Sequence, residues 1–149
     1  MTLRFTTLLI AACALCTGVN AQNASKSTPA PCLAPEALGA VHLYGLWRAE
    51  IDGEPGGASV RLQKDPEQDD SLVGSIQRDG AKAKPALLAG DLQHGDFQLE
   101  ESDDGVRISA TWSGQVVAAS CGKEIKGIWT NALTDQTRPF VLRKQGGWE

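Results

Sequence analysis

Side chains able to do acid–base or nucleophilic chemistry are sparse in this chain of 149 residues. Its two histidines, His42 and His94, are the groups whose ordinary pKa lies near neutrality, where a general base works best. No Gly-x-Ser-x-Gly elbow, glycine-rich phosphate loop or His-Glu-x-x-His motif occurs. The densest set of metal-type ligands is Asp91, His94 and Asp96, placed around one turn. That set is short of ligands for zinc unless His42 joins from a distance, and a solvated hairpin accounts for it equally well. The acid pairs Asp69-Asp70 and Asp103-Asp104 fall in predicted loops, where neighbouring carboxylates face solvent rather than flank a glycosidic bond. These residues predict a protein that is not an enzyme, with no catalytic residue, no metal and no cofactor.

The cysteines point instead to a compartment. Residues 1–21 read as a secretory signal: Arg4 supplies the positive start, Phe5–Leu15 is an apolar run too short to span a bilayer, and Val19-Asn20-Ala21 offers small residues for cleavage. In a second reading Ile10-Ala11-Ala12-Cys13 is a lipobox and Cys13 carries a lipid; in a third the apolar run is a buried helix. Cleavage after Ala21 leaves 128 residues, one domain's worth, with 13 basic residues against 18 acidic. Signs are interspersed rather than clustered, which disfavours nucleic acid as a partner. No later apolar stretch is long enough for a membrane helix, so membrane attachment is expected only through Cys13. The expected location is the periplasm or the exterior, or the envelope if Cys13 is lipidated. Cleavage leaves Cys32 and Cys121, an even pair in an oxidising compartment, which predicts one disulfide, with two free thiols as the alternative.

The elements that would position these residues have a period of two. Residues 22–42 begin with a Ser-, Ala- and Pro-rich tract that reads as a flexible tether, with room for one helical turn at Pro35–Val41. Residues 43–149 form the folded domain. Alternating apolar positions mark strands over Leu43–Ile51, Ala58–Lys64, Ser71–Arg78, Pro85–Gln93, Asp96–Glu101, Val106–Ala119, Glu124–Asn131 and Arg138–Lys144. Asp52-Gly53, Asp79-Gly80, His94-Gly95 and Asp104-Gly105 supply hairpin turns between them. Eight short strands joined in sequence predict an all-β, antiparallel up-and-down eight-stranded barrel, whose closure removes open edges. A β-sandwich has the same periodicity and is the alternative. In the barrel, Cys32 and Cys121 fall at one end, and the connections at 52–57, 79–84, 102–105 and 132–137 rim the other, where a ligand is expected.

Ser109-Ala110-Thr111-Trp112-Ser113-Gly114-Gln115 followed by Ile125–Trp129 resembles the sixth and seventh strands of avidin-type barrels. Gly45-Leu46-Trp47, Leu72-Val73-Gly74-Ser75 and Leu88-Ala89-Gly90 are similar to earlier strands of the same family. The resemblance implies an eight-stranded barrel, but it speaks against biotin. Positions matching the family's polar contacts are Ala49, Gly53, Ile76, Ile108 and Ala110, which offer no side-chain donor or acceptor. More loosely the chain is similar to lipocalins and to small periplasmic barrels that inhibit proteases or lysozyme.

An eight-stranded barrel is just wide enough to be filled by side chains or to hold one small ligand. Trp47, Trp112, Trp129, Phe97 and Phe140 all fall on the inward stripe, as pocket walls or as core. A barrel so stocked leaves little room. The expected function is therefore a protein-interaction module, an inhibitor or envelope accessory protein. The alternative is a carrier of a small hydrophobic ligand inside the barrel, lined by those five aromatics.

Overall fold

The structure is a computed structural model and describes residues 31–146. The expected signal at residues 1–21, Cys13 and most of the expected tether lie outside the described residues. Eight strands follow in order: β1 (Gly45–Ile51), β2 (Ala58–Lys64), β3 (Ser71–Arg78), β4 (Ala86–Gln93), β5 (Asp96–Ser102), β6 (Ala110–Val116), β7 (Glu124–Asn131) and β8 (Thr137–Lys144). Each pairs antiparallel with the next, and β8 returns to β1, with Trp47 opposite Lys144 and Ile51 opposite Phe140. The sheet is a closed up-and-down barrel, and the sandwich alternative falls. Closure leaves no unpaired strand edge, which is the physical advantage of this arrangement for a sheet with one apolar face.

Alternation along each strand fills the interior. Trp47, Ala49 and Ile51 of β1, Val60 and Leu62 of β2, Leu72 and Ile76 of β3, and Leu88 and Leu92 of β4 are buried there. From the other half come Phe97, Leu99, Trp112, Ile125, Trp129, Phe140 and Leu142. Each of the larger side chains among them contributes about 1.5–3 kcal/mol through burial. Phe140 packs edge-on to Trp112 with ring centroids 4.9 Å apart, and against Phe97 at 6.5 Å. Gly114 and Gly127 face each other on β6 and β7, and Gly127 also faces Phe140. A Cβ on Gly114 would sit 3.0 Å from Phe140 Cζ, so this pair of glycines makes the space the ring occupies.

Two expectations need correction. The apolar alternation from Val106 onward does not form one long strand: β6 starts only at Ala110 and ends at Val116. Val106 and Ile108 are 86% and 44% exposed. Asp104 Oδ1 accepts from the backbone N–H groups of Val106 and Arg107 at 2.9 and 2.8 Å, a local turn that captures the chain before it can pair. Ser109 N–H then donates to Glu101 O at 2.7 Å and closes the loop. Ile108 is therefore not an inward position.

The second correction is a partial one: the helical turn expected at Pro35–Val41 is present as two 3-10 turns, Pro35–Ala37 and Ala40–Leu43, but this part of the segment is packed on the barrel. Leu38 and Ala40 are buried with Leu43 in the same apolar core as the strands. Their apolar side chains outweigh the Pro-rich context, and the Cys32–Cys121 disulfide holds the segment in place. With its cysteines 89 positions apart in sequence, that bridge contributes on the order of 4–5 kcal/mol in the chain-entropy account, an upper figure.

Candidate functional site

The two ends of the barrel differ. At the end where β1 begins, the N-terminal segment lies across the opening. Pro35 packs on the β4–β5 turn, where a Cβ on Gly95 would come within 2.9 Å of Pro35 Cβ, and Leu38 packs at Gly122. Lys144 Nζ donates to His42 O at 2.6 Å and stands 5.7 Å over the ring of Trp47. Its partial burial, with Lys123 nearby, lowers the Lys144 pKa. Trp47 Nε1 donates to Leu43 O at 2.8 Å, so this tryptophan anchors the covering segment.

The opposite end carries the loops 52–57, 79–85, 103–109 and 132–136, and two pockets that share lining residues open there. One pocket of about 520 Å³ is lined by Ala49, Ile51, Glu54, Ala58 and Arg78 among others. A second, of about 360 Å³, is lined by Glu54, Arg78, Glu101, Ala110, Trp129 and Leu133 among others. Glu54 and Arg78 belong to both.

A charged network forms the floor of this mouth. Glu101, only 2% exposed, continues the inward side of β5 one step beyond Leu99. Its Oε1 accepts from Arg78 Nη1 at 2.5 Å, and its Oε2 accepts from Arg78 Nη2 at 3.3 Å. The same Oε2 accepts from the indole N–H groups of Trp112 and Trp129, at 3.1 and 3.4 Å. Among the described residues, no buried side-chain polar atom is left unpaired. Burial alone would lower the Arg78 pKa, but its hydrogen bond and charge interaction with Glu101, assisted by Glu54 and Asp103, outweigh that and raise it. Paired donors of this kind give the strong, directional form of an ion pair. The network stands where the apolar interior meets the pockets of the mouth, which reach Ala49, Ile51 and Ala58 in one and Ala110 and Trp129 in the other.

Of the five predicted aromatics, Trp112, Phe97 and Phe140 meet in the core, and Trp47 lies at the covered end. Trp129 alone lines a mouth pocket. The polar residues of the mouth escaped the sequence reading, although the signal was present. Extending the alternation by one step of two residues from Ile76, Leu99 and Phe140 reaches Arg78, Glu101 and Arg138 respectively. Among the described residues, no group of three His, Cys, Asp or Glu is close enough to hold a metal. Asp91, His94 and Asp96 do not converge: Asp96 Oδ1 accepts from Gln115 Nε2 at 3.1 Å, and His94 sits at the turn with φ 53°. His42 Nδ1 accepts from Gly39 N–H at 3.0 Å, so this ring is engaged with its own turn. Among the described residues, no helix is long and apolar enough to cross a membrane.

This architecture places the chain, as a fold, with the closed eight-stranded antiparallel barrels that avidin-type proteins and lipocalins also build. Neither a family model nor a curated relative matches the chain.

Proposed function

We propose that this chain is an exported, non-catalytic binding module that engages a protein partner through the open mouth and its surrounding loops. The observation that carries the reading is the state of the interior. Aromatic and aliphatic side chains fill the centre of the barrel, and the Arg78–Glu101 pair stands at its open end, so the space left at this end lies in the mouth among its loops and supports a contact made there. What is offered to solvent is the rim. Leu133 and Val106, 87% and 86% exposed, project from two of its loops, with Ile108 beside Leu133. Apolar side chains gathered on a polar rim are the usual mark of a protein contact. The disulfide supports an oxidising compartment.

Native mass spectrometry of the protein taken from its own compartment tests this. The expected spectrum shows the polypeptide with one disulfide and no small-molecule adduct, and a co-purifying protein that is lost from Leu133→Asp. A stoichiometric adduct of small-molecule size would overturn the reading in favour of a carrier.

A further inference from the structure

Two arginines reach the open mouth from strands that are not neighbours, Arg78 from β3 and Arg138 from β8. One carboxylate, Glu54 on the β1–β2 turn, lies between them. Its Oε2 is 3.6 Å from Arg78 Nε and its Oε1 is 3.7 Å from Arg138 Nη1. Both separations are ion pairs, and neither is a hydrogen bond. The contrast with the floor of the mouth is sharp, because Glu101 takes two hydrogen bonds from the same Arg78. Arg78 thus spends Nη1 and Nη2 on Glu101 and keeps Nε toward Glu54. The Arg138 side chain makes one hydrogen bond among the described residues, from Nη2 to Gln136 Oε1 at 3.3 Å.

Glu54 is loosely held in a second sense. Gly53 and Gly56 bracket its turn at φ 74° and 80°, conformations that glycine adopts without steric cost, and Glu54 N–H bonds only within the turn, to Ile51 O at 3.1 Å. The pockets of about 520 and 360 Å³ lie on the two sides of the Arg78–Glu54 pair, each within the size range of small-ligand sites. Ala49 and Ile51 line one, Trp129 and Leu133 the other, so the Arg78–Glu54 side of the charged cluster has apolar walls.

We infer that Arg78 and Arg138 form a seat for a carboxylate brought from outside, and that Glu54 fills it from within the chain when no such group is bound. The planar guanidinium matches a carboxylate edge, and a group free to approach closely makes the hydrogen bonds that Glu54 does not. A partner protein presents this chemistry as an acidic side chain, and a free organic acid presents it equally. In the first case the inference rests on the function proposed above and supplies the chemistry of the contact.

The test uses benzoate as the free acid and the peptide acetyl-Leu-Glu-Leu-amide as the side-chain source, with benzamide and the glutamine peptide as neutral counterparts. Binding is read from the indole N–H signal of Trp129 in heteronuclear NMR of the full protein. Glu54→Gln is expected to tighten binding of the acidic probe roughly tenfold, by removing the competing carboxylate. Arg138→Gln is expected to weaken it by a similar factor, and added salt to weaken it further. Arg138→Lys, which keeps the charge without the fork, serves if the first variant melts early. Response to benzoate alone assigns a free acid, and response to the glutamate peptide with silence from the glutamine one assigns a partner's side chain. If neither acid binds Glu54→Gln at millimolar concentration, or the neutral probes bind as well, the seat does not exist. Partner capture that survives Arg138→Gln would sink the partner's side chain as the source while sparing the interaction module; benzoate binding without any partner would do the reverse.

Discussion

Arg78 and Glu101, 23 residues apart in sequence, meet at the mouth of the barrel through two roughly parallel N–H···O bonds of 2.5 and 3.3 Å. Glu101 is 2% exposed and the Arg78 side chain 30%, so one partner is enclosed while the other still reaches water. Two tryptophans share the carboxylate, which makes this pair the joint between the apolar interior and the charged rim.

Removing one member of the joint strands the others. Glu101→Leu leaves a half-buried guanidinium and two indole N–H groups without their acceptor, an expected loss of about 2–4 kcal/mol. The double variant Arg78→Met with Glu101→Leu is expected to recover a large part of that loss, because no charge is then left unpaired. Urea denaturation of the single and double variants gives the comparison directly. A double variant no more stable than Glu101→Leu would show that the cost comes from the indoles and from packing.

The facing glycines of β6 and β7 carry a steric prediction. A Cβ on Gly127 would lie 2.0 Å from Ser113 O and 2.4 Å from Gly114 Cα, both backbone atoms that cannot yield cheaply. Gly127→Ala is expected to destabilise by about 1–3 kcal/mol through overpacking. Gly80→Ala, with nothing within 4 Å of its Cβ but φ at 71°, tests backbone conformation alone, and a smaller loss is expected there. Thermal melts of the two variants separate steric crowding from conformational strain.

Acid stability follows from four surface carboxylates. Asp79 is held below its ordinary value by the Arg48 hydrogen bond, Asp69 by Lys64, and Glu124 by Lys126 with Arg143. Asp104 is lowered furthest, chiefly by the backbone N–H groups of Arg107 and Val106. A carboxylate with a depressed folded-state pKa stabilises fully above its unfolded value, and that contribution disappears as pH falls through the folded value. The melting temperature is therefore expected to be level from neutrality to about pH 5 and to fall below about pH 4. Asp104→Asn keeps an Oδ1 acceptor for both backbone bonds, so it should leave the neutral melting temperature nearly unchanged and reduce the acid slope. Asp104→Ala should lower the melting temperature at every pH by releasing the 103–109 loop. Exposed pairs contribute little individually, so a slope unaffected by high salt would contradict this account.

The alternation of apolar residues made seven of the eight strands legible to within a few residues, because a strand with one buried face must repeat every second position. It failed at Val106 and Ile108, where Asp104 offered the backbone a nearer partner than β5 or β7 could. The strands so marked already include Arg78, Glu101 and Arg138 at their ends, but a stripe defined by apolar residues assigns no charged side chain to the inward face, so their place in the mouth was not legible. The packing of residues 38–43 was illegible for a related reason: Leu38 and Ala40 are too few to show a pattern, and their burial depends on a surface that exists only once the barrel has closed.

The order of residues by itself determined the hairpin ladder and its inward aromatic stripe, since each follows from local alternation or turn residues, and it offered Cys32 and Cys121 as a pair once the two earlier cysteines are set aside with the expected signal. Only the closed barrel decided that Arg78, Glu101, Trp112 and Trp129 share one carboxylate, and that Glu54 stands between two arginines. Those side chains come from β1–β2, β3, β5, β6, β7 and β8, and nothing in their spacing along the chain encodes the tilt and register that bring them to the same mouth.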